Sequence, residues 1–166
     1  MRNLIAIPVI ILAVILQSAV VSRVVLLSGY ADLPLVMLAA WALHENVETA
    51  WHWAVATGLL VGFVSDLPIF VTILGYVVVV ALAKILQRRV WQAPLLAMFS
   101  VTFLGTIFMN LLSLIVLRLL GVSFSIGDAL GLLTLPTILL NLLLSIPVFA
   151  VMNDLARWMY SAVEVE

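Results

Sequence analysis

Apolar residues run along this chain in long blocks, and polar or turn residues divide them into six. The blocks cover residues 4 to 21, 33 to 43, 47 to 65, 68 to 86, 94 to 117 and 129 to 152. A continuous apolar run of about 18 residues or more marks a membrane-spanning helix rather than one face of a soluble one. The pattern therefore predicts an all-α, polytopic transmembrane bundle of about six spans. The second block departs from it. Asp32 and Pro34 suit a helix start, but so short an apolar run cannot cross about 30 Å of hydrocarbon. It is either a half-crossing element or part of a helix that continues past His44. The third and fourth blocks are separated only by Ser65-Asp66-Leu67-Pro68. Pro68 suits the first turn of a new helix, whereas a mere kink there would lower the number of spans.

Composition agrees with the pattern. The chain is 66% hydrophobic and 9% charged, against about 25% charged in a soluble domain. With about 20 apolar residues needed per span, 166 residues form one membrane domain, residues 1 to 166, with no room for a separate soluble one. Seven Lys and Arg against eight Asp and Glu leave no basic face to neutralise phosphates, which argues against a nucleic-acid partner. The chain has no cysteine, so disulfides, thiolate chemistry and cysteine-bound metals are excluded. Arg2 precedes the first block, which lacks a small-x-small cleavage site, so it reads as a retained first helix.

The basic residues assign sides. With six spans, Arg2, Lys84, Arg88, Arg89 and Arg157 collect on one side and Arg23 and Arg118 on the other. Lys and Arg accumulate on the cytoplasmic side, which predicts both termini inside. Trp41, Trp51, Trp53, Trp91 and Trp158 all lie beside the same loops, as expected of an interfacial belt of tryptophans.

Candidate chemistry is sparse. His44, Glu48 and His52 are four residues apart and would share a face of a continuous helix, offering a metal two imidazoles and a carboxylate. Asn46 is instead a plausible N-cap for the third helix, which would put His44 outside it and leave these as interfacial polar groups. Asp66 could carry a proton or bind a substrate, since intramembrane acids tend to be functional, but its segment end places it near the external surface. Asn110 and Asn141 lie inside the last two spans, where an unpartnered amide is costly. They could bond each other, the backbone or an incoming helix. Ala54, Gly58 and Gly62 form a small-xxx-small stripe, suited to a close helix contact within the chain or with another. Pro8, Pro136 and Pro147 bend their helices. There is no Walker loop, GxSxG elbow, HExxH or close pair of carboxylates on one span. Neither enzymatic activity nor a cofactor is expected.

The order of motifs resembles the MreD family of bacterial rod shape-determining membrane proteins. Leu16-Gln17-Ser18 stands near the end of the first helix, and Asp32-Leu33 opens a short helix that ends in Trp41-Ala42-Leu43. Gly58-Leu59-Leu60-Val61-Gly62 and then Asp66 follow. Gly75-Tyr76 leads to the basic loop from Lys84 to Arg89, and the last helix carries Asn141 and Pro147-Val148-Phe149. Members often have a glycine-containing turn where this chain has Asp66-Leu67-Pro68. The resemblance implies a six-span protein of the bacterial plasma (inner) membrane, a scaffold of the elongation machinery that governs cell shape and peptidoglycan synthesis. Its implied partner is the single membrane helix of MreC. Through the complex it would also meet RodA, its transpeptidase, MreB and RodZ.

Two readings follow. A scaffold would hold a partner helix in an apolar groove, with the third helix as first candidate and the sixth as second. The alternative is the substrate-binding subunit of an energy-coupling-factor vitamin transporter, whose fold the family is thought to share. Such subunits usually carry an AxxxA-like stripe on the first helix, which the spacing of Ala13 and Ala19 breaks.

Overall fold

The computed structural model describes residues 2–45, 47–89 and 93–161. Among these, six helices of eleven residues or more follow the six apolar blocks. They are α1 (Arg2–Ala19), α2 (Leu33–Leu43), α3 (Ala50–Val64), α4 (Ile69–Arg89), α5 (Pro94–Leu119) and α7 (Leu135–Ser161), the last preceded by a single turn, α6 (Ile126–Asp128). Three stretches are long and apolar enough to cross a membrane: Ile69–Arg88, Pro94–Leu119 and the continuous Ile126–Met159. Ile7–Arg23, Leu33–Leu43 and Ala50–Val64 are shorter apolar helices. The third helix starts three residues later than its apolar block, after Thr49. Asn46 and Trp91 lie outside the described residues, as do the side chains of Arg2 and Arg89.

α2 is the centre of the bundle. Its 11 residues rise about 16 Å at about 1.5 Å each, so it does not continue past His44, which is its C-cap. Every residue from Pro34 to Leu43 is buried, because a helix that is apolar all round has no face for a polar surrounding. α1, α3, α4, α5 and α7 all contact it.

Two of the tryptophans read from the sequence as an interfacial belt are buried inside the bundle. Trp41 and Trp53 are 1% and 2% exposed and stack with ring centroids 4.4 Å apart. They fill the space where the end of α2 meets the start of α3, so core packing outweighs interfacial preference for this pair. Trp51 and Trp158 do face outward.

The break between α3 and α4 is a true reversal. Gly58 lies against Ile73 and Gly62 against Ile69, the register of two antiparallel neighbours. A Cβ on Gly58 would stand 2.6 Å from Ile73 Cα. That approach lets Thr72 Oγ1 donate to the Gly58 carbonyl at 2.7 Å. Ala54, on the same stripe, is fully buried. The glycine face is thus occupied by α4, and the third helix does not offer it as a groove for another chain.

Two features were not expected. A short antiparallel hairpin, β1 (Val25–Leu26) and β2 (Gly29–Tyr30), joins α1 to α2, and α6 leads into a π-helical segment, Ala129–Thr134. They meet at Pro136. Proline has no N–H for the carbonyl four residues back, and the Leu132 carbonyl instead accepts from Ser28 N at 3.0 Å. A Cβ on Gly29 would lie 2.7 Å from the Leu133 carbonyl oxygen and 2.8 Å from Thr137 N, so only glycine lets the hairpin dock this closely. Pro136 therefore stands in the first turn of α7 and frees a carbonyl for the hairpin. Pro8 and Pro147 sit on exposed faces of α1 and α7.

Candidate functional site

Polar groups gather where α2 begins, and most of them hold it in place. Asp32 is its N-cap, accepting from Leu35 N at 3.0 Å, which meets one of the N–H groups a helix start leaves free. The Gln17 amide of α1 bridges the residues on either side, donating to the Ala31 carbonyl and accepting from Leu33 N, both at 2.8 Å. From α7, Asn141 Oδ1 accepts from Asp32 N at 2.6 Å. Asn141 Nδ2 donates to Thr106 Oγ1 of α5 at 2.8 Å, and that hydroxyl donates in turn to the Thr102 carbonyl. Tyr76 of α4 donates to the Asp32 carboxylate at 3.2 Å. Side chains from α1 and α7 thus satisfy the backbone at the start of α2, while α4 and α5 hold the Asp32 and Asn141 side chains.

Of the residues singled out in the sequence, Asp32, read there as a helix start, is the N-cap at the centre of this clamp, and Asn141 alone of the candidate site residues belongs to it. It bonds to Asp32 and Thr106, not to Asn110. Asp66 is exposed in the turn after α3. His44 caps α2, while Glu48 and His52 are exposed and Ala50 begins the next helix. No group of three metal-ligating side chains occurs among the described residues. Gln17 and Tyr76 escaped a reading residue by residue. The one available signal was their place in the motifs that carry the family resemblance.

Beside the clamp lies a partly open cavity of about 230 Å³. Gln17, Tyr30, Asp32, Ser65, Asn110 and Asn141 supply much of its polar lining, with Leu35, Val61 and Met109 among its apolar walls. The Asn110 Nδ2 and Ser65 Oγ atoms are buried and have no hydrogen-bond partner among the described residues. At the opposite end, Lys84 Nζ donates to the Val47 carbonyl at 2.5 Å and to Gln87 Oε1 at 3.2 Å, tying the connection between α2 and α3 to α4. No family model, curated protein or solved structure matches this chain.

Proposed function

We propose that this chain is a non-enzymatic scaffold of the bacterial plasma membrane. In this reading it crosses the bilayer six times with both termini inside and works in cell-wall elongation by binding the membrane helix of MreC, as its resemblance to the MreD family suggests. One observation carries the reading. Gln17, Asp32, Tyr76 and Asn141, all within the motifs of that resemblance, converge on the start of α2, so these four polar side chains are committed to positioning a helix. What the bundle offers a partner is the outer surface of its helices. With the α3 glycines covered by α4, the partner helix is assigned to α7, where Leu139, Leu143, Ile146 and Val151 are exposed around Pro147. Contact there would rest on packing rather than water exclusion.

Extraction from native membrane in mild detergent should retain MreC and, through it, RodA with its transpeptidase. Recovery of an ATPase pair with a bound vitamin, and no MreC, would overturn the scaffold. The topology has its own test, since the chain contains no cysteine. A cysteine at position 88 is expected to resist an impermeant thiol reagent added from outside; labelling there would reverse the assigned sides.

A second reading, the substrate-binding subunit of a vitamin transporter, is favoured by the cavity beside the clamp. It predicts the ATPase outcome of the same extraction.

A further inference from the structure

We infer that the cavity beside the clamp is a binding site for a small uncharged molecule rich in hydrogen-bond acceptors. The inference follows from which polar groups are still uncommitted. Both ends of the Gln17 amide and both ends of the Asn141 amide are paired, and Asp32 Oδ1 accepts from Leu35 N and Tyr76. Among the buried polar atoms of the lining residues, Asn110 Nδ2 on α5 and Ser65 Oγ at the end of α3 have no partner among the described residues. A buried donor without a partner costs free energy, and two of them beside one hollow point to an occupant. The χ2 torsion of an asparagine is soft, so the Asn110 amide can turn toward a ligand without disturbing α5.

The chemistry of the wall selects the ligand. Both uncommitted groups can donate, so they call for acceptor oxygens or nitrogens. A cation would be drawn to the Asp32 carboxylate, but that group already accepts from Leu35 N and Tyr76, and the Asn110 Nδ2 donor would stay unmet. An anion would find no positive side chain among the lining residues and would face the Asp32 carboxylate. An uncharged carbonyl or hydroxyl compound avoids both conflicts. The size also limits it: about 230 Å³ is below the usual range of about 300 to 1,000 Å³ for drug-sized ligands. Apolar walls from Leu35, Val61 and Met109 suit a ligand that also carries apolar surface.

The site does not depend on the scaffold reading. In the transporter reading its occupant is the cargo, and in the scaffold reading it is a ligand lodged next to the helix clamp. The test uses the purified full chain in detergent, so it is independent of which partner is captured from membrane. Nicotinamide, uracil and myo-inositol serve as uncharged probes, with benzoate and benzylamine as an anion and a cation of similar size. Thermal unfolding and saturation-transfer NMR are the readouts. At least one uncharged probe should raise the midpoint and show saturation transfer, while benzoate and benzylamine should do neither. Ser65→Ala should weaken that binding, and Asn110→Leu should abolish it. Asn110→Leu should also raise the midpoint of the empty protein, because it removes an unmet amide; a gain in stability together with a loss of binding is an outcome that a purely structural asparagine would not give. The inference is overturned if no uncharged probe binds, if a charged probe binds equally well, or if binding survives Asn110→Leu.

Discussion

Asn141→Leu should lower the unfolding midpoint of this protein more than any other single replacement of a buried polar side chain. Leucine shares the branching of asparagine but is larger, so at this fully buried site some overpacking adds to the loss of the hydrogen bonds. It leaves Asp32 N–H without its acceptor and removes the donor to Thr106 Oγ1. At about 1 to 3 kcal/mol for each buried group left unmet, the loss falls between about 2 and 6 kcal/mol. Hydrogen bonds between membrane helices average only about 0.6 kcal/mol, because the unfolded chain in lipid finds other partners, and this sets the expectation near the lower end. The stacked Trp41–Trp53 pair provides a fluorescence reporter within the core. Ser100→Ala is the control, since Ser100 is half-buried and bonds only to the Leu96 carbonyl of its own helix; its effect should stay within about 0.5 kcal/mol. Equal midpoints for the two variants would mean that Asn141 does not hold α2.

The second large effect is expected at Gly58. In Gly58→Leu the new Cβ would overlap the backbone of Ile73 at 2.6 Å, which no rotamer relieves. α3 and α4 would have to separate, losing the bond from Thr72 to the Gly58 carbonyl. Overpacking usually costs about 1 to 3 kcal/mol, and a backbone obstruction puts this case at or above the upper limit. Size-exclusion chromatography should give aggregate or no folded peak, whereas Leu59→Ala, at an outward position 40% exposed, should elute as the unaltered protein does. If Gly58→Leu remained folded and lost only its partner, the stripe would face another protein instead of α4.

Much of the helical layout was legible because lipid-facing helices carry a strong signal. The second apolar block coincides with α2, and the first cue to the half-helix was simply its length. Asn141 stood out because an amide within an apolar span needs a partner. Its actual partner was not legible, since nothing local links Asn141 to a backbone N–H at the start of α2. The hairpin was hidden because Val24 to Leu27 is a short unbroken apolar run, without the alternation that marks a strand. Trp41 and Trp53 misled for a related reason: tryptophan serves both interfaces and cores, and only the packing of α2 against α3 decides between them. Gln17 lay near the end of a helix, where a polar residue needs no special account, and Tyr76 was one aromatic residue among many apolar ones. The cavity depends on side chains from several helices, so no single stretch of sequence announces it.

The clamp also bears on the order of synthesis. Chains fold largely as they emerge, N-terminal parts first, yet the acceptor for Asp32 N lies 109 residues downstream on the last helix. Until α7 arrives, the start of α2 lacks one of its acceptors, and the Ser28 amide lacks the Leu132 carbonyl. A nascent chain that stops before α6 would therefore hold its central helix unfinished. α7 acts as a latch that closes the start of α2 from 109 residues downstream.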